Sequence, residues 1–117
     1  MSKKIIPNPE EPFTFINVFE IPVEEVDSFI EQWRERSKLM SDSPGFLGAE
    51  LNRALLTETR FQLINIAKYE SYAAFEAATT NSKFKVALGK QLDNPASNMI
   101  PNRGFYRPVA IADSHEG

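Results

Sequence analysis

Apolar and polar residues alternate along some stretches of this chain and recur at helical spacing along others. Phe13 to Ile21 reads FTFINVFEI, rich in aromatic and β-branched residues, and predicts a strand. One face carries Phe13, Phe15, Asn17, Phe19 and Ile21, and the other Thr14, Ile16, Val18 and Glu20. Pro22 opens a helix, a place where a missing amide costs nothing. Val23, Val26, Phe29, Ile30, Trp33 and Met40 fall on one helical stripe. Acids gather early and bases (Arg34, Arg36, Lys38) late, which complements the helix dipole. The charged residues of this helix read as a solvated face. Pro44-Gly45 ends it. Phe46 to Leu55 predicts a second strand, with Leu47, Ala49, Leu51, Arg53 and Leu55 on one side. Thr57-Glu58-Thr59 forms a hairpin turn. Arg60 to Tyr69 is the third strand, with Phe61, Leu63, Asn65, Ala67 and Tyr69 facing one way and Arg60, Gln62, Ile64, Ile66 and Lys68 the other. Ser71 is an N-cap for a helix from Tyr72 to about Thr80, and a further helical stretch carries Phe84, Leu88 and Leu92. A polar loop with Pro95 and Pro101 follows, and Gly104 to Ala112 is the last strand.

The order β-α-β-β-α-β predicts an α+β, ferredoxin-like unit: a four-stranded antiparallel sheet with both helices on one face and strands one and three side by side at the centre. Residues 1–12, with Pro7, Pro9 and Pro12, read as an extended arm, 13–112 as a single domain, and 113–117 as a tail. The three phenylalanines of strand one assign its odd face to the helices. The opposite face would leave Ile16, Val18, Ile64 and Ile66 as an open apolar patch. A monomer could tolerate the patch or cover it with the N-terminal arm, but the favoured reading is a homodimer in which two such sheets face each other.

Composition narrows the function. At 117 residues there is room for one domain, and 42% AVILMFWYC with 25% DEKR is ordinary for a globular chain. There is no cysteine, which excludes disulfides, thiolate metal sites and a cysteine nucleophile. The one histidine, His115, lies in the polar tail, where no rigid shell would hold it for catalysis or metal binding. A net charge of -3 gives no sign of nucleic acid as a partner. No apolar run is long enough for a membrane span. Ile5-Ile6 before Pro7 is too short for a signal peptide, so a cytoplasmic protein is expected. Dinucleotide, P-loop, zinc-protease and nucleophile-elbow motifs are absent.

The remaining chemistry lies in Asn17, Asn65 and Tyr69. All three occupy odd positions of the two central strands, so they share the helix side of the sheet. A buried amide left unpaired costs ~1–3 kcal/mol. The asparagines therefore either bond to each other, backbone or water, or act as donors to a substrate oxygen, where they would stabilise a developing oxyanion. Tyr69 could hydrogen-bond to an aromatic substrate or stack on it. Phe15, Phe19, Trp33, Phe75 and Phe84 are either plain core or the walls of a substrate cavity. Arg53, Arg60, Arg103 and Arg107 are either solvated or available to an anionic substrate.

The segment FINVFEIPVEEVDSFIEQWRERSKLMSDSPGF, followed by Leu51-Asn52-Arg53-Ala54-Leu55 and RFQLINIAKYESYAAF, resembles the antibiotic biosynthesis monooxygenase family. Gly104 to Arg107 also fits. The resemblance implies a dimeric α+β barrel. It further implies a monooxygenase that oxidises small aromatic, phenolic or quinone-like molecules with no cofactor and no metal, because a stabilised phenolate can pass an electron directly to dioxygen. The polyketide-oxidising branch places Asn-x-x-x-Trp on strand three, and here Asn65-Ile-Ala-Lys-Tyr69 has tyrosine for tryptophan. That branch often has Leu-His on strand two, where this chain has Leu51-Asn52. The haem-degrading branch shares the strand-one asparagine, matched by Asn17, but its tryptophan and histidine fall on Ala78 and Leu88. Leucine cannot ligate iron, so haem is not the expected substrate. Catalytic roles are thus implied for Asn17, Asn65 and Tyr69. The alternative is a small-molecule binding or dimerisation module that keeps the fold without the chemistry.

Overall fold

A computed structural model of the chain describes residues 6–80 and 98–114. Four antiparallel strands form one sheet in the order β2-β3-β1-β4. They are β1 (Phe13–Glu20), β2 (Phe46–Arg53), β3 (Phe61–Tyr69) and β4 (Ile100–Tyr106). Helices α1 (Val26–Met40) and α2 (Tyr72–Thr79) complete the ferredoxin-like α+β fold. Pro22 caps a short 3-10 turn, Val23–Glu25, that runs into α1. Ser71 caps α2 by accepting from the Ala74 amide at 3.1 Å, as its sequence position predicts. The expected helical stretch with Phe84, Leu88 and Leu92 lies outside the described residues.

The central pairing of β1 with β3 aligns Phe15 with Ala67, Asn17 with Asn65, and Phe19 with Leu63. The core divides along this pair. One cluster joins Phe19, Ile21, Val26, Phe29 and Leu63. The other joins Phe13, Ala67, Tyr69 and Ala78, with Phe15, Phe46, Phe75 and Phe105 packed against it. The two asparagines sit between the clusters. On the opposite face Ile16 pairs with Ile66 and Val18 with Ile64. All four stay only half-buried.

Two expectations about the strands need correction. Leu47 does not share a face with Ala49. A bulge lets Phe46 pair with Tyr69 and Gly48 with Lys68, so Leu47 is the extra residue and stands 57% exposed. Gly48 takes the positive φ of +126 that this requires. The last strand runs from Ile100 to Tyr106 rather than Gly104 to Ala112. Pro101 is accommodated because β4 is an edge strand, where a missing amide donor is tolerated. The chain ahead of β1 is tied down by Arg107, which donates to the carbonyls of Pro7, Asn8, Glu11 and Pro12. Among the described residues no helix is long and apolar enough to cross a membrane.

Candidate active site

Between the sheet and the helices lies a cavity of about 560 Å³. Its walls are aromatic: Phe15 and Phe19 from β1, Phe29 and Trp33 from α1, Phe75 from α2 and Phe105 from β4. Asn17, Asn65 and Tyr69 also line it, so parity along β1 and β3 brings the three expected residues to one chamber. Phe84 lies outside the described residues. Asn52 pairs with Ile64 on the other face of the sheet, so the departure from Leu-His there does not reach the cavity.

Asn17 is 7% exposed. The backbone N–H of Asn102 donates to its Oδ1 at 3.0 Å. A donor at that atom identifies it as the oxygen, so the orientation of the amide is set by β4. The amide NH2 of Asn17 is left as a donor. Asn65, directly opposite, has a buried Oδ1 with no hydrogen-bond partner. Such an atom costs ~1–3 kcal/mol and is satisfied when a ligand donates to it. The pair therefore offers one fixed donor and one open acceptor at the polar midpoint of an apolar chamber.

Tyr69 is 1% exposed and held by other rings. It stacks on Phe13 at 5.8 Å and meets Phe46 at 5.5 Å and Phe75 at 5.2 Å. Burial pushes its phenol well above the usual tyrosine range, so it stays neutral and can donate but not serve as a base.

The sequence reading missed Arg36. It was expected on a solvated face, yet it is only 7% exposed and lines the cavity beside Ser37 and Met40. Its guanidinium carbon lies 5.5 Å from the centre of the Phe29 ring. Its Nη1 is buried without a hydrogen-bond partner. Desolvation pulls its pKa down to about 10, which leaves it charged at neutral pH. A signal for it existed: Phe29, Trp33, Arg36 and Met40 follow one another by four, three and four residues, so Arg36 continues the apolar stripe.

Three of the four expected cations are engaged elsewhere. Arg53 pairs with Asp27 at 3.0 Å, Arg60 with Glu20 at 3.3 Å, and Arg107 with the four carbonyls before β1. Arg103, opposite Asn17 on β4, lines the cavity. The lining thus holds two guanidinium groups and, among the described residues, no carboxylate. Among the same residues no three of His, Cys, Asp and Glu are gathered as metal ligands.

Comparison with curated proteins returns no match. Among solved structures, a candidate monooxygenase from Shewanella loihica is 30% identical, with a TM-score of 0.70 over 86% of this chain and 97% of that one. SnoaB, a cofactor-independent oxygenase from Streptomyces nogalater, is 20% identical, with a TM-score of 0.70 over 89% of this chain and 99% of that one. A variant of MhuD with two manganese protoporphyrin IX molecules in each active site is also 20% identical, with a TM-score of 0.67 over 87% of this chain and 99% of that one. The last two share the fold. The family model for antibiotic biosynthesis monooxygenases matches residues 12–90, more than half of the sequence. The chain belongs to the antibiotic biosynthesis monooxygenase family.

Proposed function

We propose that this protein is a cofactor-independent monooxygenase that acts on a small phenolic or quinone-like aromatic molecule. The observation that carries the reading is the amide pair, Asn17 with its NH2 left to donate and Asn65 with a buried, unpartnered Oδ1, set inside an aromatic-walled cavity. A flat substrate fits between the ring walls. Asn65 Oδ1 accepts a hydrogen bond from a substrate hydroxyl, and the Asn17 amide donates to an oxygen that gains negative charge.

The substrate supplies the electrons. An ionised phenol passes one electron to dioxygen, and the two radicals combine at a ring carbon to form a C–O bond. Protonation gives a hydroperoxide, and loss of water leaves a carbonyl at that carbon. One oxygen atom enters the product and the other leaves in water, so the substrate is oxidised by two electrons twice over and no external reductant is consumed. Excluding water from the chamber strengthens each amide contact. SnoaB, which shares the fold, is described as a cofactor-independent oxygenase, and this is consistent with the proposal.

The protein is further proposed to work as a homodimer through the sheet face bearing Ile16, Val18, Ile64 and Ile66. The helices leave that face uncovered, and its apolar centre supports the pairing.

One observation favours a second reading, a binding module without chemistry. Tyr69 replaces the tryptophan of the polyketide-oxidising branch and is packed among Phe13, Phe46 and Phe75. Oxygen uptake separates the two. Metal-stripped, flavin-free protein is mixed with anthrones and naphthalene diols in an oxygen electrode. The oxygenase reading expects one dioxygen consumed per quinone formed. Ligand binding with uptake no faster than the blank would leave the binding module.

A further inference from the structure

The cavity contains a charge that no described residue answers. Arg36 lies on the inner stripe of α1, is more than nine-tenths buried, and makes no hydrogen bond or ion pair with any described residue. Its neighbours in the lining are rings, two asparagines, the Tyr69 phenol and Arg103 on β4. No acid among the described residues faces it from α1, α2 or any strand. A buried cation is normally paired. The Phe29 ring offers only a partial counter-charge. An arginine kept here at that cost is complementary to a negative group that arrives with a ligand.

We propose that Arg36 is a substrate-binding residue that holds the ligand of this cavity as an aromatic oxyanion, an ionised phenol or enol. The inference rests on the oxygenase reading and deepens it by assigning the residue that holds the substrate in its ionised form. It also removes the need for a protein base. Among the described residues the lining offers none: Tyr69 stays protonated, the asparagines are neutral, and the remaining polar groups are cations or hydroxyls. Arg36 shifts the ionisation of the bound phenol itself, so the electron-rich form that reacts with dioxygen is the form selected on binding. A second positive group, Arg103, reinforces the field from the β4 side.

The test uses the full chain and alizarin, a planar dihydroxyanthraquinone whose colour reports its ionisation. Binding is followed by quenching of Trp33, the one tryptophan, which lines the cavity. The ionisation midpoint of the dye is then read free, bound to wild type, and bound to Arg36→Met and Arg36→Lys. The expected result is a bound midpoint at least one pH unit below that of free dye in wild type. Arg36→Lys should keep part of the shift, and Arg36→Met should abolish or reverse it, because an apolar cavity favours the neutral phenol. A wild-type midpoint equal to or above that of free dye overturns the role of Arg36 while leaving the oxygenase reading in place. Failure of wild type to bind the dye at all overturns both. The wild-type measurement is decisive even if a variant folds poorly.

Discussion

Replacing Arg36 with methionine should stabilise the ligand-free protein. The perturbation removes a buried, unpartnered guanidinium and keeps an unbranched side chain of similar reach. Burial pulls the pKa of Arg36 down to about 10, and at ~1.4 kcal/mol per pH unit the folded state carries a penalty of about 3 kcal/mol. Loss of the contact with the Phe29 ring gives back roughly 1 kcal/mol. The net gain is about 2 kcal/mol, or roughly 8 °C in melting temperature for a domain of this size. The pH dependence has a definite sign. The lowered value belongs to the folded state, so below about pH 10 the group is charged in both states and the whole penalty is present. As pH rises above about 10 the folded protein sheds the proton first and the penalty shrinks. Among the described residues Tyr69 and Arg103 are the other titratable groups of the lining, and burial holds Tyr69 neutral. Urea unfolding of both proteins at several pH values should therefore show a stability gap that is level from roughly pH 6 to 9 and narrows above about pH 10. A variant no more stable than wild type, or less stable, would refute the claim that Arg36 waits unpaired for a ligand.

Other perturbations probe the fold, the assembly and the substrate. Gly45 has φ +84, and a Cβ there would lie 2.5 Å from the Cβ of Ala74, so Gly45→Ala should cost about 2 kcal/mol or more in thermal unfolding. Ile64→Asp places an unpaired charge on the proposed dimer face, and sedimentation should show dimeric wild type and a monomeric or unfolded variant. Wild type sedimenting as a monomer at micromolar concentration would contradict the dimer. Titration with haem should give no ligated Soret shift and no haem loss with reductant, because the sole histidine is His115 and buried Ala78 stands at the tryptophan position of the haem-degrading branch. A tight complex that degrades haem would contradict this.

The parts of the fold that follow a strict period were legible in the sequence. Alternation along β1 and β3 placed Asn17, Asn65 and Tyr69 on one face, and their register puts the two asparagines directly opposite each other. What escaped depends on local exceptions and on tertiary context. The bulge at Leu47 breaks the alternation in β2, and only the positive φ of Gly48 reveals it. Pro101 reads as a loop residue until β4 is known to be an edge strand. The charge of Arg36 points to the outer face of α1, whereas its spacing from Phe29 and Trp33 puts it inside. The hydrogen bond from Asn102 to Asn17, which sets the donor toward the cavity, crosses 85 positions of sequence and follows from no local pattern.

The central claim is that the asparagine pair holds a reacting aromatic substrate, Asn65 Oδ1 accepting from its hydroxyl while the Asn17 amide donates to the oxygen that gains charge. Asn65→Ala tests it most directly, because the Asn65 Oδ1 has no partner to lose and the fold should keep its melting temperature. Dioxygen uptake by this variant and by wild type is compared at saturating substrate, with a thermal melt of each sample alongside. Because Asn65 positions the reacting ring, the account predicts turnover lowered by ~10²-fold with stability unchanged. Turnover within a factor of about two of wild type would contradict it.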